Sequence, residues 1–345
     1  MNVRHTRLLV VAALAAIIAA CTHKELCFHH DHLVTLRLEF DWRDAPEANP
    51  AGMGVYFYPQ PAGDPIVFHF DNTVGGEITL PAGEYVALTY NNDAPSINAL
   101  NMHRHDLHEL FTREGGLFEP LGDYNSRRHN NAPRAEQAED ERVIICPDEM
   151  WGCPAFDIKI TEQGITYVCN PFDPDGEEPS DSSTVTDQLI TLYPHELTCI
   201  YTYEIRHVKN IDQIARMSAS LSGMAPTLRL IDEELGRECV THPFEAVSKP
   251  EESKIVGRFI TFGHHEENPQ AHKMMLYVWT KDGKAYSFGT KSERFDLTQQ
   301  VHDAPNRRRV HLIIDSLDVP APLPPEAGVV PDIDEWAEVF VDFQM

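Results

Sequence analysis

Five large apolar side chains, Val34, Leu36, Leu38, Phe40 and Trp42, fall on every second residue, with Thr35, Arg37, Glu39 and Asp41 between them. Alternate residues of an extended chain point to opposite faces, so as a β-strand this stretch has one oily face and one wet face. Wound as a helix, the same residues would scatter around the cylinder. A strand with one apolar face must be covered by a second layer, and the same demand recurs along the chain. Tyr201, Tyr203 and Ile205 alternate with Thr202, Glu204 and Arg206, and Val310, Leu312 and Ile314 alternate with His311, Ile313 and Asp315. Further β-rich runs at Val55–Tyr58, Ile66–Phe70, Glu77–Leu80, Tyr85–Tyr90, Ile255–Phe262 and Met274–Thr280 are punctuated by Gly and Pro. Asp282-Gly283 supplies the positive φ angles of a tight turn, which joins Met274–Thr280 to Ala285–Phe288 as a hairpin. Ile211–Met217 reads as one short helix, and Ser218–Gly223 as a turn between strands. The expected class is all-β, built as antiparallel sandwiches.

Length and composition set the number of sandwiches. With 345 residues, 42% of them apolar, the chain can fill two cores. Between Asn170 and Asp187 it turns rich in Pro, Ser and acids, the composition of a linker. This divides the chain into a first sandwich at 21–169, a linker at 170–187 and a second sandwich at 188–319. A Pro-rich connector and terminal strand occupy 320–345, where Ala337, Val339, Val341, Phe343 and Met345 alternate. The acidic run Asp173-Pro174-Asp175-Gly176-Glu177 has its glycine fourth, where a calcium loop of the EF-hand type needs it sixth.

Residues 1–20 have a different character. Arg4 and Arg7 precede an uncharged apolar run, Leu8–Ala20, too short to span a bilayer, and Ile18-Ala19-Ala20-Cys21 resembles a bacterial lipobox. That pattern makes 1–20 a lipoprotein signal peptide and Cys21 the lipid-carrying first residue of the mature chain. The only membrane attachment expected is lipid on Cys21, with no later segment long and apolar enough to cross. The net charge of −26 becomes −28 once Arg4 and Arg7 are removed, and an acidic body repels nucleic-acid phosphates, so no nucleic-acid partner is expected.

Seven cysteines are present: Cys21, Cys27, Cys146, Cys153, Cys169, Cys199 and Cys239. With Cys21 lipidated, an even number remains in an exported chain, and Cys146 and Cys153 bracket a loop short enough for a local disulfide. The alternative is a set of buried free thiols. His23, His29, His30 and His32 crowd the start of the mature chain, but adjacent residues of an extended chain point apart and lack the separated pairs of a zinc site. His103, His105 and His108, and His264-His265-Glu266-Glu267, form no His-Glu-x-x-His pattern and read as solvent-facing loop residues. No phosphate-binding glycine loop or Gly-x-Ser-x-Gly elbow occurs. No catalytic residue, metal ligand or cofactor is assigned.

Several phrases together are distinctive: Lys24-Glu25-Leu26-Cys27, Phe40-Asp41-Trp42, Tyr90-Asn91-Asn92-Asp93, Leu221-Ser222-Gly223-Met224-Ala225, Thr261-Phe262-Gly263-His264, His272-Lys273-Met274-Met275-Leu276-Tyr277 and Val310-His311-Leu312-Ile313-Ile314-Asp315. In these the chain resembles an uncharacterised family of Bacteroidetes lipoproteins, classed as a domain of unknown function. That family is similar, more loosely, to fimbrillin-type anchor and accessory lipoproteins. The resemblance implies two tandem transthyretin-like, Greek-key β-sandwiches and a surface-exposed outer-membrane lipoprotein that anchors or contributes to a fimbria-like assembly. It also implies fimbrial subunits as partners through β-strand addition, and brings no catalytic residues. Stalk subunits of such systems lose their lipid end by cleavage after an arginine, and Arg43 is the candidate processing site here. The alternative is a surface lipoprotein that binds a glycan or host protein without a filament; a metal-dependent hydrolase stands third.

Overall fold

The structure is a computed structural model that describes residues 33–122, 132–161, 164–169, 189–267, 270–290, 292–321 and 336–338. The expected signal peptide at 1–20, Cys21, Cys27, the histidines before Leu33, the expected linker at 170–187 and all but a few residues of the 320–345 segment lie outside that range.

The chain opens with β1 (Leu33–Phe40), β2 (Met53–Pro59), β3 (Ile66–Phe70), β4 (Gly75–Pro81) and β5 (Gly83–Asn91). It then makes two short strands, β6 (Ile97–Leu100) and β7 (Glu109–Thr112), and β8 (Arg142–Val143). It returns through β9 (Trp151–Thr161), β10 (Gly164–Cys169), β11 (Leu189–Leu192) and β12 (His195–Glu196). The first sandwich stacks a three-stranded sheet, β11-β1-β4, on a six-stranded one, β10-β9-β5-β2-β3 with β12 beside β9. Val34, Leu36, Leu38 and Phe40 of β1 point between the sheets and meet Val55, Phe57, Ile78, Leu80, Ile158 and Ile190. The period-two alternation therefore places its oily face where expected, with Trp42 half-buried at the rim and its indole N–H donating to the Thr73 carbonyl at 2.7 Å.

The second sandwich contains β13 (Cys199–Lys209), β14 (Ile214–Met224), β16 (Val240–Glu245), β17 (Val247–Lys249), β18 (Lys254–Thr261), β19 (Met274–Thr280), β20 (Ala285–Phe288), β21 (Arg309–Asp318) and β22 (Trp336–Glu338), with β15 (Thr227–Arg229) set apart from it. A four-stranded sheet, β17-β18-β13-β21, faces a six-stranded one, β22-β20-β19-β14-β16-β8. Tyr201, Tyr203 and Ile205 from β13 and Leu312 and Ile314 from β21 fill its core with Leu221, Leu276 and Val278. The β19–β20 hairpin turns at Gly283, φ 82°, as its Asp-Gly signal requires. Of the terminal alternation only Ala337 is described, in β22, which pairs parallel with β20.

Three expectations need correction. Ile211–Met217 is not a helix: one 3-10 turn, Ile211–Gln213, leads directly into β14. Ser218–Gly223 is not a turn but the middle of β14, a central strand. Its small hydroxyls bury by donating to carbonyls, Ser218 to Leu117 at 3.0 Å and Ser222 to Lys273 at 3.2 Å, so their polarity misleads. Pairing is also not purely antiparallel, since β1–β11, β13–β21, β16–β8 and β20–β22 run parallel. Parallel partners need long connections, which local alternation does not report.

The halves are also interleaved. β11 follows the linker yet pairs with β1 in the first sandwich, and β8 precedes the linker yet pairs with β16 in the second. A third sheet, β15-β7-β6, joins strands from both sides of it. Beneath that sheet Tyr58, Leu88, Leu110, Met150, Leu197 and Leu228 share one core.

Candidate functional site

β1 is the first element of interest, because it is where any attachment ahead of Leu33 meets the body. It is the middle strand of its sheet, in register with β4 from Leu33 opposite Pro81 to Glu39 opposite Gly75, and with β11 from Arg37 opposite Leu189 to Phe40 opposite Leu192. Both backbone edges are therefore engaged from Arg37 to Glu39, while the first half of the strand pairs with β4. The expected processing residue, Arg43, lies in the exposed turn just after it. Its guanidinium donates to Asp41 Oδ2 at 3.1 and 2.6 Å, its backbone N–H donates to Oδ1 at 3.0 Å, and its charge lies 4.7 Å above the Tyr193 ring. The hydrogen bonds from Arg43 hold the Asp41 carboxyl below its usual pKa. Tyr193 follows β11 directly, so this arginine clasps the ends of two neighbouring strands.

A cleft of about 460 Å³ opens where the second sandwich meets the bridging sheet, between the 233–237 turn, the 262–267 turn and Arg307–Arg308. Glu233 sits on its wall with positive φ, bonded to His195 Nε2 and accepting from Arg308 Nη2 at 2.7 Å. Burial opposes charge on Glu233, but His195 and Arg308 outweigh it and its pKa falls below the usual value. Arg308 also donates to the Leu197 carbonyl at 2.8 Å, and Arg307 pairs with Glu266 at the rim.

His264 belongs to this cleft, and it departs from the sequence reading. It is not a free loop residue: His272, at the entry to β19, and His302, at the end of the short helix α1 (Thr298–His302), converge on it. The ring centres are 5.0 Å apart for His264–His272, 4.8 Å for His264–His302 and 5.2 Å for His272–His302. A nitrogen of each lies within 4.8 Å of the others. His272 is buried, and its Nδ1 faces the Ser222 carbonyl at 3.3 Å; His264 Nδ1 faces the Tyr201 hydroxyl at 3.4 Å. Burial, with the neighbouring histidines adding to it, pulls His264 down to a pKa of about 4, and burial does the same to His272. Both rings are therefore neutral at pH 7. The geometry gathers three imidazoles from distant segments, where the sequence reading assigned no metal ligand. No spacing rule could have found them, because each histidine stands alone in its segment or beside an unrelated one.

His108 is a second departure. It is fully buried under the bridging sheet, with Nδ1 2.7 Å from the Tyr58 hydroxyl and Tyr90 edge-on, and burial lowers its pKa to about 4. His103 and His105 stay near the surface. The expected Cys146–Cys153 bridge is likewise absent. Cys146 packs on the second core with its thiol donating to the Pro243 carbonyl at 3.3 Å, whereas Cys153 is buried in the first core. The intervening chain enters β9 at Trp151 and carries the second thiol into the other sandwich.

Fold and strand arrangement together define a protein of two interleaved β-sandwiches, with a cleft where the second of them meets the bridging sheet. The chain belongs to the family described as a domain of unknown function, DUF5119, whose model matches residues 20–245. No curated protein matches it. Among solved structures it is similar to a candidate adhesin from Bacteroides ovatus, at 15% identity over 88% of this chain and 98% of that one, with a TM-score of 0.55. It superposes more loosely on a candidate polysaccharide-binding protein from Bacteroides thetaiotaomicron, at 12% identity over 81% and 90% with a TM-score of 0.44. The fimbrial anchor protein Mfa2 from Porphyromonas gingivalis gives 14% identity over 81% and 90% with a TM-score of 0.43. The likeness to the first of these establishes a shared fold. Among the described residues no helix is long and apolar enough to cross a membrane.

Proposed function

We propose that the protein is a surface lipoprotein of the outer membrane, held by lipid on Cys21, that anchors or contributes to a fimbria-like assembly. The observation that carries this reading is the position of β1. It lies between β11 and β4 with its apolar face in the core, and Arg43 behind it is clasped by Asp41 and Tyr193. A chain built this way keeps its first strand, and with it any lipid ahead of that strand. A processed subunit would surrender both and take a strand from a neighbour. The match over nearly the whole of a candidate adhesin supports the same setting.

Mass spectrometry of the protein taken from cell membranes tests the reading. The expected N-terminus is acylated Cys21, with fimbrial subunits co-purifying as a ladder. An N-terminus at Asp44 would make it a polymerising or tip subunit instead. A glycan or host protein bound with no filament partner would favour a soluble-ligand receptor.

A further inference from the structure

The three histidines beside the cleft have a use that adhesion does not require. We propose that His264, His272 and His302 form a binding site for one divalent transition-metal ion of the zinc class, held by three imidazole nitrogens with its remaining position open to solvent.

The separations argue for it. An ion bound at ~2.0–2.1 Å from an imidazole nitrogen lies about 3.2 Å from the ring centre, and tetrahedral angles then put ring centres about 5.2 Å apart. The observed separations are 5.0, 4.8 and 5.2 Å, close to that triangle on all three sides. The nitrogens, within 4.8 Å of one another, must close to about 3.4 Å in a tetrahedral set. Rotation about the Cβ–Cγ bond, a soft torsion in histidine, moves the nitrogens while leaving the ring centres nearly in place.

Two rings also carry the outer support of metal-bound histidines, whose second nitrogen is engaged by a protein oxygen. The Ser222 carbonyl can only accept, so His272 Nδ1 holds the hydrogen and Nε2 presents its lone pair. The Tyr201 hydroxyl, 3.4 Å from His264 Nδ1, can donate or accept, and by accepting it would support His264 in the same way.

The backbone holds the triangle. Thr298 Oγ1 accepts from the His272 N–H at 2.9 Å, and the Leu297 N–H donates to the His272 carbonyl at 2.8 Å. Residue 272 is thereby fixed to the start of α1, the helix that ends in His302. Asp296 caps that helix, accepting from the Thr298 N–H at 3.1 Å and hydroxyl at 2.6 Å. His264 is aimed by Gly263, φ 117°, whose carbonyl accepts from Ala225 at 2.9 Å. His302 is the exposed member, so the open position lies on its side. Three nitrogens without sulfur or carboxylate suit zinc, copper or nickel rather than calcium or magnesium.

The test is titration of the full chain in detergent, without an affinity tag, with zinc chloride against a chromophoric chelator, followed by cobalt(II) absorption. One zinc per chain and a visible cobalt band of a tetrahedral nitrogen site are expected. His302→Ala, at an exposed position, should weaken zinc at least about tenfold, the scale on which even outer-shell partners act. His264→Gln should do the same, while His311→Ala and the combined His29→Ala, His30→Ala, His32→Ala variant should not. Circular dichroism of each variant separates lost ligation from lost folding. Absence of stoichiometric zinc, unchanged affinity in folded His302→Ala, or loss confined to the combined N-terminal variant would overturn the proposal.

Discussion

Removing β1 is the most direct perturbation of this architecture, and its cost can be worked from the burial. In a chain beginning at Asp44, the space filled by Val34, Leu36, Leu38 and Phe40 is left open; all four are buried, Leu38 at 0% exposure. At about 2 kcal/mol for each such side chain, the loss comes to roughly 8 kcal/mol, an upper figure because the unfolded chain is partly compact. Natural domains are stable by only about 5–15 kcal/mol in total. The removal also strips the partners from β4 and β11 at once. The truncated chain should therefore lose its cooperative urea transition, whereas a chain beginning at Leu33 keeps it. A synthetic peptide of residues 33–43, added in excess, should restore the transition by re-entering between β4 and β11. A truncated chain that unfolds at the same urea concentration as the longer one, with the same slope, would refute the claim that β1 is integral to its sandwich.

Three further outcomes follow from contacts already described. Asp41→Ala frees the Arg43 guanidinium from its carboxylate, so trypsin should cut after Arg43 several times faster than in the parent, scored by the appearance of an Asp44 terminus; equal rates would show the clasp to be idle. Burial lowers His108, and likewise His242, which is buried in β16 with its Nδ1 3.1 Å from the Ile144 carbonyl, to about 4 in the folded protein, against an ordinary value of about 6.5. The unfolded chain thus takes up protons first, so their contribution to stability is complete above pH 6.5. It falls away at about 1.4 kcal/mol per pH unit for each as pH drops toward 4, and His108→Gln should flatten the slope of urea midpoint against pH. Burial pushes the Cys146 and Cys153 thiols up to about 12, so a maleimide at pH 8 should label them slowly in the folded protein and quickly in urea without reductant. A Cys146–Cys153 cross-linked peptide would refute the assignment of free thiols.

What the sequence reveals divides along physical lines. Where one face of a strand is apolar and the other charged, as in β1 and β13, alternation alone gives both the strand and its inward side, and the structure agrees at Leu36 and Tyr203. The β19–β20 turn was legible because Asp282-Gly283 has few other uses. β14 was not, since Ser218, Ser220 and Ser222 are buried along with Ala219 and Leu221, leaving no contrast between its faces. Partner choice was hidden as well: nothing within Leu189–Leu192 shows that it lies parallel to a strand far earlier in the chain. The histidine triangle was illegible for the same reason, as it exists only once β19, α1 and the turn after β18 have folded together. His108 looked like its neighbours His103 and His105, which stay nearer the surface, because a buried imidazole bonded to Tyr58 has no local signature.

The placement of β1 has a mechanical consequence. A pull on the chain ahead of Leu33 acts along the strand, while the β4 and β11 bonds on either flank run across it. The load falls on both ladders in shear, so the bonds share it and must yield together rather than open one by one from an end. Because β11 leads through β12 into β13, the force on that ladder passes on toward the second body. A tether attached here would resist drag or traction through the whole woven molecule, and would break by sudden failure of the sheet rather than by gradual peeling.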